Sequence, residues 1–279
     1  METNQNLNLF DVAGMNIAIT GGAGVLCRAI ARGLVERGAN VALLNLHIES
    51  ALAVVESFPR RAGAGRAIAV QCDVLQPDSI KQAVEKTLAE FGVIDGLING
   101  AGGNRPAAST SPDLSFFDLS PEALREVFDL NLIGAILPSQ AVGRHMAGRK
   151  QGVILNITSM NAFRPLTRVP AYSAAKAGVS NFTQWLATHM AQEYSPAIRV
   201  NAIAPGFFLT EQNRFLMTDR ETGDLTPRGN QVLAHTPMHR FGVPEDLVGT
   251  SIWLLSPASS FVTGIVVPVD GGFSAYSGV

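Results

Sequence analysis

The sequence predicts one α/β domain: a doubly wound sheet of seven parallel strands with helices on both faces. Short, continuously apolar runs alternate with amphipathic stretches of helix length, and continuous apolar character is typical of strands that helices cover on both sides. The length of 279 residues and the 47% hydrophobic content fit a single large core of this class.

Seven apolar runs have the length of a strand. In chain order they cover residues 15–20, 41–45, 67–71, 93–99, 152–158, 198–204 and 264–269. Helix starts are predicted where proline follows or forms a good first turn, at Pro77, Pro121 and Pro244. The helix from Pro121 is expected to run to about residue 146, with Pro138 as a candidate kink.

Two polar segments interrupt the alternation, residues 101–120 and 207–242, and each follows a predicted strand. Open α/β sheets place ligands and lids beyond the carboxyl ends of their strands, so 207–242 is the candidate lid. We therefore expect a single domain over 1–279, with an N-terminal tail at 1–10 and this lid inserted within the domain.

Composition excludes several classes of partner. The net charge of -2 and the absence of a long basic run argue against nucleic acid and anionic membranes. No stretch approaches the ~18 apolar residues of a membrane span, and two cysteines in apolar contexts favour a reducing cytoplasm. The five histidines show no ligand spacing, so no metal is expected, and the predicted partners are small molecules or copies of the chain.

The first predicted strand ends in a glycine turn, TGGAGVLC from Thr20, which leads directly into a helix. Gly21 and Gly24 let the backbone approach a pyrophosphate, and the helix start at Val25 and Leu26 offers free amides to its charge. The turn therefore predicts a dinucleotide site.

The residue that ends strand two decides which adenine ribose fits. Here it is Asn45, which can bond a ribose hydroxyl, and no arginine stands beside it to bind a 2′-phosphate. NAD is therefore weakly preferred over NADP. Asp73 and Val74, after strand three, are candidates for the adenine, and three residues that end strand four complete this cofactor edge: Asn99, Ala101 and Gly102.

A catalytic group is predicted from three side chains. Tyr172 and Lys176 lie four residues apart in a helical stretch and so share a face, where the ammonium can stabilise a phenolate. Ser159 ends a predicted strand, where its hydroxyl can polarise a carbonyl oxygen. This group predicts transfer of a hydride together with a proton.

Two further features fit such a site. Pro205 and Gly206, with the hydroxyl of Thr210 beyond them, end another strand and suit binding of the nicotinamide amide. Asn131 is a polar side chain inside an apolar helical run, where a satisfied core amide is the alternative to a functional role.

In order and spacing, these motifs resemble those of the short-chain dehydrogenase/reductase family, and the resemblance covers the chain from residue 10 onward. It implies a Rossmann-type fold and a homotetramer. It also implies Tyr172 as the catalytic acid/base, Lys176 on the ribose hydroxyls, Ser159 orienting the substrate oxygen, and Asn131 holding a water of a proton relay.

The chain departs from the family's glycine turn at one point. The family usually has TGxxxGxG, and the second and third glycine places are Val25 and Cys27 here. A shifted helix start or a differently held phosphate would accommodate this change.

Several strings, among them TGGAGVLC, SNFTQWLA and APGFFLTEQNRF, resemble the D-mannonate oxidoreductase (fructuronate reductase) branch of the family. That resemblance implies interconversion of a sugar-acid ketone and alcohol. A sugar-acid carboxylate favours a guanidinium partner, and the candidates for substrate binding in the predicted mouth and lid are Arg105, Asn161, Arg164, Gln212 and Arg214.

Other interpretations stay open at this point. The same chemistry can serve another polyol acid of the gluconate type or an oxoacyl thioester, although the polar lid favours a sugar acid. A dinucleotide-binding regulator without turnover is an alternative of a different class, and the altered glycine turn is its motivation.

Overall fold

The computed structural model describes residues 8–209, 214–219 and 222–278. Seven strands form one fully parallel sheet in the order β3-β2-β1-β4-β5-β6-β7. The strands are β1 (Asn16–Thr20), β2 (Asn40–Asn45), β3 (Ala67–Gln71), β4 (Gly96–Asn99), β5 (Gly152–Ile157), β6 (Ile198–Pro205) and β7 (Val266–Val269). The predicted fold class, a doubly wound seven-stranded sheet, is confirmed.

Nine helices connect and cover these strands in the described part of the chain. They are α1 (Val25–Glu36), α2 (Ile48–Glu56), α3 (Pro77–Phe91), α4 (Pro121–Phe128), α5 (Gly134–Arg149), α6 (Pro170–Glu193), α7 (Arg214–Met217), α8 (Pro227–Ala234) and α9 (Asp246–Leu255). Two separate apolar clusters fill the two sides of the sheet, one with side chains from α1 and α9 and the other with side chains from α3, α5 and α6. Burial on both faces explains the continuous apolar runs.

The structure corrects two details of the sequence-based prediction. Strand four begins at Gly96, and the residues directly before it form no strand. The helix expected from Pro121 ends at Phe128, and a π-turn over Asp129–Ile133 precedes α5. The irregularity therefore lies at Asn131, ahead of Pro138, which is buried inside α5. A π-turn of this kind is frequent at functional sites.

Buried polar side chains fix the carboxyl ends of the central strands. The Thr20 hydroxyl accepts hydrogen bonds from the amides of Gly100 and Ala101, at 3.1 and 3.2 Å, which joins β1 to the end of β4. The Asn99 amide nitrogen donates to Asn156 of β5 at 2.8 Å. The carboxyl ends of β1, β4 and β5 are thereby held in a fixed relation at the edge that carries the predicted functional residues.

The opposite edge of the sheet is closed by Arg199 of β6, which is 7% exposed. Its guanidinium donates to the carbonyls of Leu254, Leu255 and Ser256 at the end of α9, and also to Val262 and the Ser259 hydroxyl. A cation at a helix C-terminus interacts favourably with the carbonyl dipoles. Within the described residues, no helix is long and apolar enough to span a membrane.

Candidate active site

A cleft of about 320 Å³ opens at the carboxyl ends of the central strands. Most of the catalytic and cofactor residues that the sequence predicts line it together: Gly21, Gly24, Val25, Leu26, Gly102, Ser159, Tyr172, Lys176, Pro205 and Gly206. Cys27, Gly100, Gly103, Ile157 and Thr158 also line the cleft and were not predicted as site residues.

The glycine turn forms one wall of the cleft. Gly21 has φ of 62°, a left-handed conformation, and a Cβ there would lie 2.8 Å from the Cα of Ala101. Gly24 is the N-cap of α1, and no side chain caps the helix. The first amides of α1 are therefore available to an anion. This uncapped helix start beside a close-packed glycine turn fits the pyrophosphate of a dinucleotide.

Cys27 explains how the turn works without the third glycine. Its sulfur occupies the space beside Gly100, where an added Cβ would lie 2.1 Å from Sγ. The thiol is buried, and burial raises the pKa of Cys27 to about 12. Cys27 is therefore a neutral packing group, and the absence of a side chain at Gly100 makes room for it.

The three predicted catalytic side chains meet in the cleft. The Lys176 Nζ atom lies 5.7 Å from the centroid of the Tyr172 ring. A hydrogen bond from the side chain of Ser159 lowers the pKa of Tyr172, although burial has the larger effect and raises it overall. In the cofactor-free protein, the phenol is therefore protonated at neutral pH.

Lys176 is 5% exposed and donates a hydrogen bond from Nζ to the Ile157 carbonyl at 2.8 Å. Burial lowers the pKa of Lys176 to about 8. The side chain thus still carries its charge at neutral pH, directly beside Tyr172. A Cβ on Gly102 would lie 3.2 Å from Nζ, so this glycine leaves space for the ammonium.

Thr158 joins the strand that carries Ser159 to the helix that carries Tyr172 and Lys176. Its hydroxyl donates to the carbonyl of Lys176 at 2.8 Å and lies 3.0 Å from the Ser180 hydroxyl. Thr158 therefore holds the register between the two catalytic segments. In the sequence, only the position of Thr158 directly before Ser159 could have indicated this role. Its hydrogen bond to the Lys176 carbonyl is visible only in the fold.

Asn131 is buried, with an exposure of 1%, and its side chain holds the loop after β4. The amide nitrogen donates to the carbonyls of Gly103 and Val127 at 2.7 and 2.8 Å, and the amide oxygen accepts from the Gly103 amide at 3.1 Å. These contacts place Asn131 directly behind the cleft wall.

The predicted adenosine residues lie at the ends of their strands. Asn45 donates from its amide to the His47 carbonyl at 3.0 Å, and the Asp73 carboxylate accepts from the Leu75 amide at 2.9 Å. Val74 is 6% exposed and packs beside Gly134. The backbone of Ala101 is held by Thr20, as described above. The Asn99 side chain does not reach the cleft, because it bonds Ser139 and Asn156 in the core.

Among the described residues, no hydrogen bond or ion pair joins the predicted substrate residues to one another. Arg105 is exposed and pairs with Glu126 at 3.9 Å, whereas Arg164 donates to the Ser274 carbonyl at 3.3 Å. Asn161 is buried and donates to the Ser173 hydroxyl at 3.4 Å. Arg214 is exposed at the start of α7. Thr210 and Gln212 lie outside the described residues.

The geometry supports proton transfer at an oxygen that lies close to both Ser159 and Tyr172. A protonated phenol, a hydrogen-bonding hydroxyl and a buried ammonium share one cleft with an anion-binding helix start. This combination is suited to hydride transfer between a nicotinamide and a carbonyl carbon. Over the described ranges, no three His, Cys, Asp or Glu side chains group to hold a metal ion.

Comparison with known proteins agrees with this chemistry. The profile of a family described as enoyl-(acyl carrier protein) reductase matches residues 22–274. An uncharacterized oxidoreductase of Bacillus subtilis, UxuB, is 49% identical over 96% of this chain and 98% of its own length. The chain belongs to the short-chain dehydrogenase/reductase family and is an NAD(P)-dependent dehydrogenase/reductase.

Two solved structures are informative about ligands. A protein from Haemophilus influenza, described as a candidate D-mannonate oxidoreductase with bound NAD, is 45% identical, with a TM-score of 0.88, and covers 96% of this chain and 98% of its own. A gluconate 5-dehydrogenase from Burkholderia cenocepacia, in complex with NADP and tartrate, is 31% identical, with a TM-score of 0.84, over 97% and 99% of the two chains.

Proposed function

We propose that this enzyme interconverts the ketone and alcohol of a six-carbon sugar acid, with D-fructuronate and D-mannonate as the substrate pair. The observation that carries the chemistry is the convergence of Ser159, Tyr172 and Lys176 on the cleft that the glycine turn also lines. The similarity to the Haemophilus protein supports the substrate.

Each catalytic residue has a defined role in this proposal. The Tyr172 hydroxyl gives its proton to the ketone oxygen in the reducing direction and takes it back in the oxidising direction. Ser159 donates a hydrogen bond to the same oxygen, and the Lys176 ammonium binds the ribose hydroxyls and stabilises the phenolate. Asn131 fixes the loop at Gly103 and holds a water of the proton relay. A bound nicotinamide dinucleotide supplies or accepts the hydride.

We propose NAD as the preferred cofactor over NADP. Among the described residues, the Asn45 side chain bonds only through its amide nitrogen, to the His47 carbonyl, so its oxygen is left for a ribose hydroxyl. The proposed contacts to the adenosine are made by Asp73 and Val74, to the pyrophosphate by the turn from Gly21 to Leu26, and to the nicotinamide by residues 205–210. Dissociation constants for NADH and NADPH, measured by fluorescence titration, test the preference.

A second candidate substrate is gluconate or a related hexonate. The Burkholderia enzyme is named for reaction at carbon five of gluconate, and oxidation of D-mannonate to D-fructuronate is also a reaction at carbon five. Both candidates therefore place the carboxylate four carbon–carbon bonds from the reacting carbon. An oxoacyl thioester carries no such carboxylate, and a regulator without turnover would leave the intact catalytic group unused.

Absorbance of the reduced nicotinamide at 340 nm tests the proposal. D-mannonate, D-gluconate, their ketones and an oxoacyl thioester are supplied with NAD(H) or NADP(H). The highest kcat/KM is expected for D-fructuronate and D-mannonate. A higher value for gluconate favours the second candidate, and turnover of none of these compounds contradicts the proposal.

We also propose a homotetramer, with a face of α5 and α6 as one interface between copies. Trp185 is 57% exposed there and stacks on His189 with ring centroids 4.8 Å apart, and Tyr194 is exposed beside them. Such exposed aromatic patches are typical of interaction sites. Light scattering of the wild type and of Trp185→Glu measures the assembly, and a monomeric wild type contradicts it.

We propose that residues 207–242 act as a lid, since Phe208 near its start pairs with Gly242 near its end and the segment directly follows Gly206, which lines the cleft. We also place the protein in the cytoplasm. Cys27 and Cys72 are both free and buried, a use of cysteine that is common in reducing compartments.

A further inference from the structure

Two arginines were not singled out by any sequence motif; one lies in the candidate lid and the other just before α6. Arg228 is the second residue of α8, in the candidate lid. Its Nε atom is buried and has no hydrogen-bond partner among the described residues. A buried donor without a partner costs about 1–3 kcal/mol, and more for a charged group. The structure therefore leaves a hydrogen-bonding group of this guanidinium available.

The local structure fixes where Arg228 stands. The Thr226 hydroxyl accepts from the Gly229 amide at 3.0 Å and donates to the Leu216 carbonyl at 2.7 Å, which ties the start of α8 to α7. A Cβ on Gly229 would lie 2.1 Å from the Met217 carbonyl oxygen. The first turn of α8 is thus packed closely against the neighbouring helix, with Arg228 in a defined position.

The second arginine is Arg168, an exposed residue just before α6. Its carbonyl accepts from the Thr110 amide at 2.9 Å, so it lies where the loops after β4 and β5 meet. Arg168 is four positions before Tyr172, and their α-carbons are therefore at most ~14 Å apart.

Burial and, to a smaller extent, the positive charge of Arg168 lower the pKa of Arg228. Contacts with the C-terminal segment also bring their two segments together. Arg164, four residues before Arg168, donates to the Ser274 carbonyl, while His235 at the end of α8 packs against Phe273 and Tyr276.

No described carboxylate neutralises this pair. Six other arginines in the described residues form ion pairs with Asp or Glu, whereas none is found for Arg168 or Arg228. Two neighbouring cations repel each other, so a shared anion would bring a large favourable interaction. Guanidinium groups match the planar, bidentate geometry of a carboxylate.

We propose that Arg168 and Arg228 form a clamp for the carboxylate of the substrate, an inference that rests on the proposed sugar-acid function. In a hexonate that reacts at carbon five, the carboxyl carbon lies roughly 5 Å from the reacting carbon when the chain is extended. The clamp would select acids over neutral sugars and align carbon five with Tyr172. It replaces Arg105, Arg164 and Arg214 as the principal carboxylate partner.

The test compares two ketones that differ only at the carboxylate, D-fructuronate and D-fructose, in which a hydroxymethyl group replaces it. Arg168→Gln, Arg228→Gln and the double variant are assayed, with Arg125→Gln as the control because Arg125 is exposed and paired with Glu122. Each clamp variant is expected to lose about 10- to 100-fold in kcat/KM for D-fructuronate, mainly through KM. The kcat/KM for D-fructose and the melting temperature are expected to change no more in the clamp variants than in the control variant.

Calorimetric binding of D-mannonate to the NAD-loaded protein completes the test. Weaker binding of D-mannonate in the clamp variants, with binding to the control variant unchanged, supports the clamp. If no turnover is observed in the same proteins, that result contradicts only the proposed function. Turnover of D-fructuronate with an unchanged KM in the clamp variants overturns the clamp and leaves the proposed function intact. A wild type that binds neither D-mannonate nor D-gluconate overturns both.

Discussion

Arg199 in β6 is buried and Arg228 in α8 is partly buried, and the two arginines differ in their partners. Arg199, at the amino edge, donates five hydrogen bonds to groups near the end of α9. Arg228, in the first turn of α8, has a buried Nε with no partner among the described residues. Burial lowers the pKa of both guanidinium groups. Only the first recovers the cost of burial from the protein itself.

The same contrast extends to the surroundings of each arginine. Around Arg199, buried side chains and helix carbonyls satisfy one another, which is the pattern of a stabilising site. Around the cleft, the α1 start has no capping side chain and the Lys176 ammonium is held at a depressed pKa of about 8. Unsatisfied and perturbed groups that cluster in a cleft indicate ligand binding. Changes at the two edges should therefore separate stability from activity.

The largest effect is expected from Tyr172→Phe, which removes the transferred proton and little of the packing. Because a general acid/base contributes about 10²–10⁴-fold, kcat for D-fructuronate reduction should fall by that factor. Steady-state rates measure the effect on activity, and thermal melting measures the effect on stability. Near-full turnover, or a fall in melting temperature that accounts for the lost rate, would contradict the role of Tyr172.

Arg199→Met should have the opposite consequence. It leaves several buried carbonyls without a donor, and a loss of about 3 kcal/mol or more in the free energy of unfolding is expected. For a chain of this size, that loss lowers the melting temperature by on the order of 10 °C. Arg125→Met, at an exposed position, is the matched control. The kcat of the folded enzyme should be unchanged. A loss of kcat without a loss of stability would contradict the purely stabilising role of Arg199.

The sequence predicted the parallel sheet and the catalytic group better than the substrate site. Ser159, Tyr172 and Lys176 are readable because their spacing is local to one strand end and one helix. Arg168 and Arg228 are 60 positions apart (228 minus 168), and no periodicity connects them. The role of Arg199 was equally hidden, because its partners lie in the distant segment from Leu254 to Val262. Contacts between distant segments depend on loop conformation, which composition and periodicity do not specify.

A third prediction concerns pH and the cofactor. Burial lowers the pKa of Lys176 to about 8, so the side chain loses its positive charge above that pH. If NADH binds only to the charged form, binding above pH 8 requires uptake of a proton. The dissociation constant of NADH should be constant below pH 8 and rise up to tenfold per pH unit above it. Fluorescence titration between pH 6.5 and 9.5 measures it.

The titratable groups next to Lys176 do not contribute to this pH dependence of NADH binding. Burial raises the pKa of Cys27 to about 12 and also raises the pKa of Tyr172, so both stay protonated over most of the range. Lys176→Met should bind NADH more weakly and without this pH dependence, whereas Tyr172→Phe should keep it. A flat profile in the wild type would show that the ammonium does not bind the cofactor.

The smallest expected effect tests the glycine turn itself. Gly100→Ala would place a Cβ 2.1 Å from the Cys27 sulfur and 2.9 Å from the Thr20 carbonyl oxygen. Overpacking of this kind costs about 1–3 kcal/mol. Cys27→Ala removes the first of these contacts, so the double variant should recover part of the loss, with a coupling energy of about 1 kcal/mol.

Denaturant unfolding of the two single variants and the double variant gives that coupling energy directly. NADH affinity measured on the same proteins shows whether removing the overpacking also restores cofactor binding, because Gly100 and Cys27 both line the cleft. Strictly additive losses would mean that the Thr20 oxygen alone limits position 100. A positive coupling would instead show that the cysteine in the third glycine place depends on the glycine opposite it.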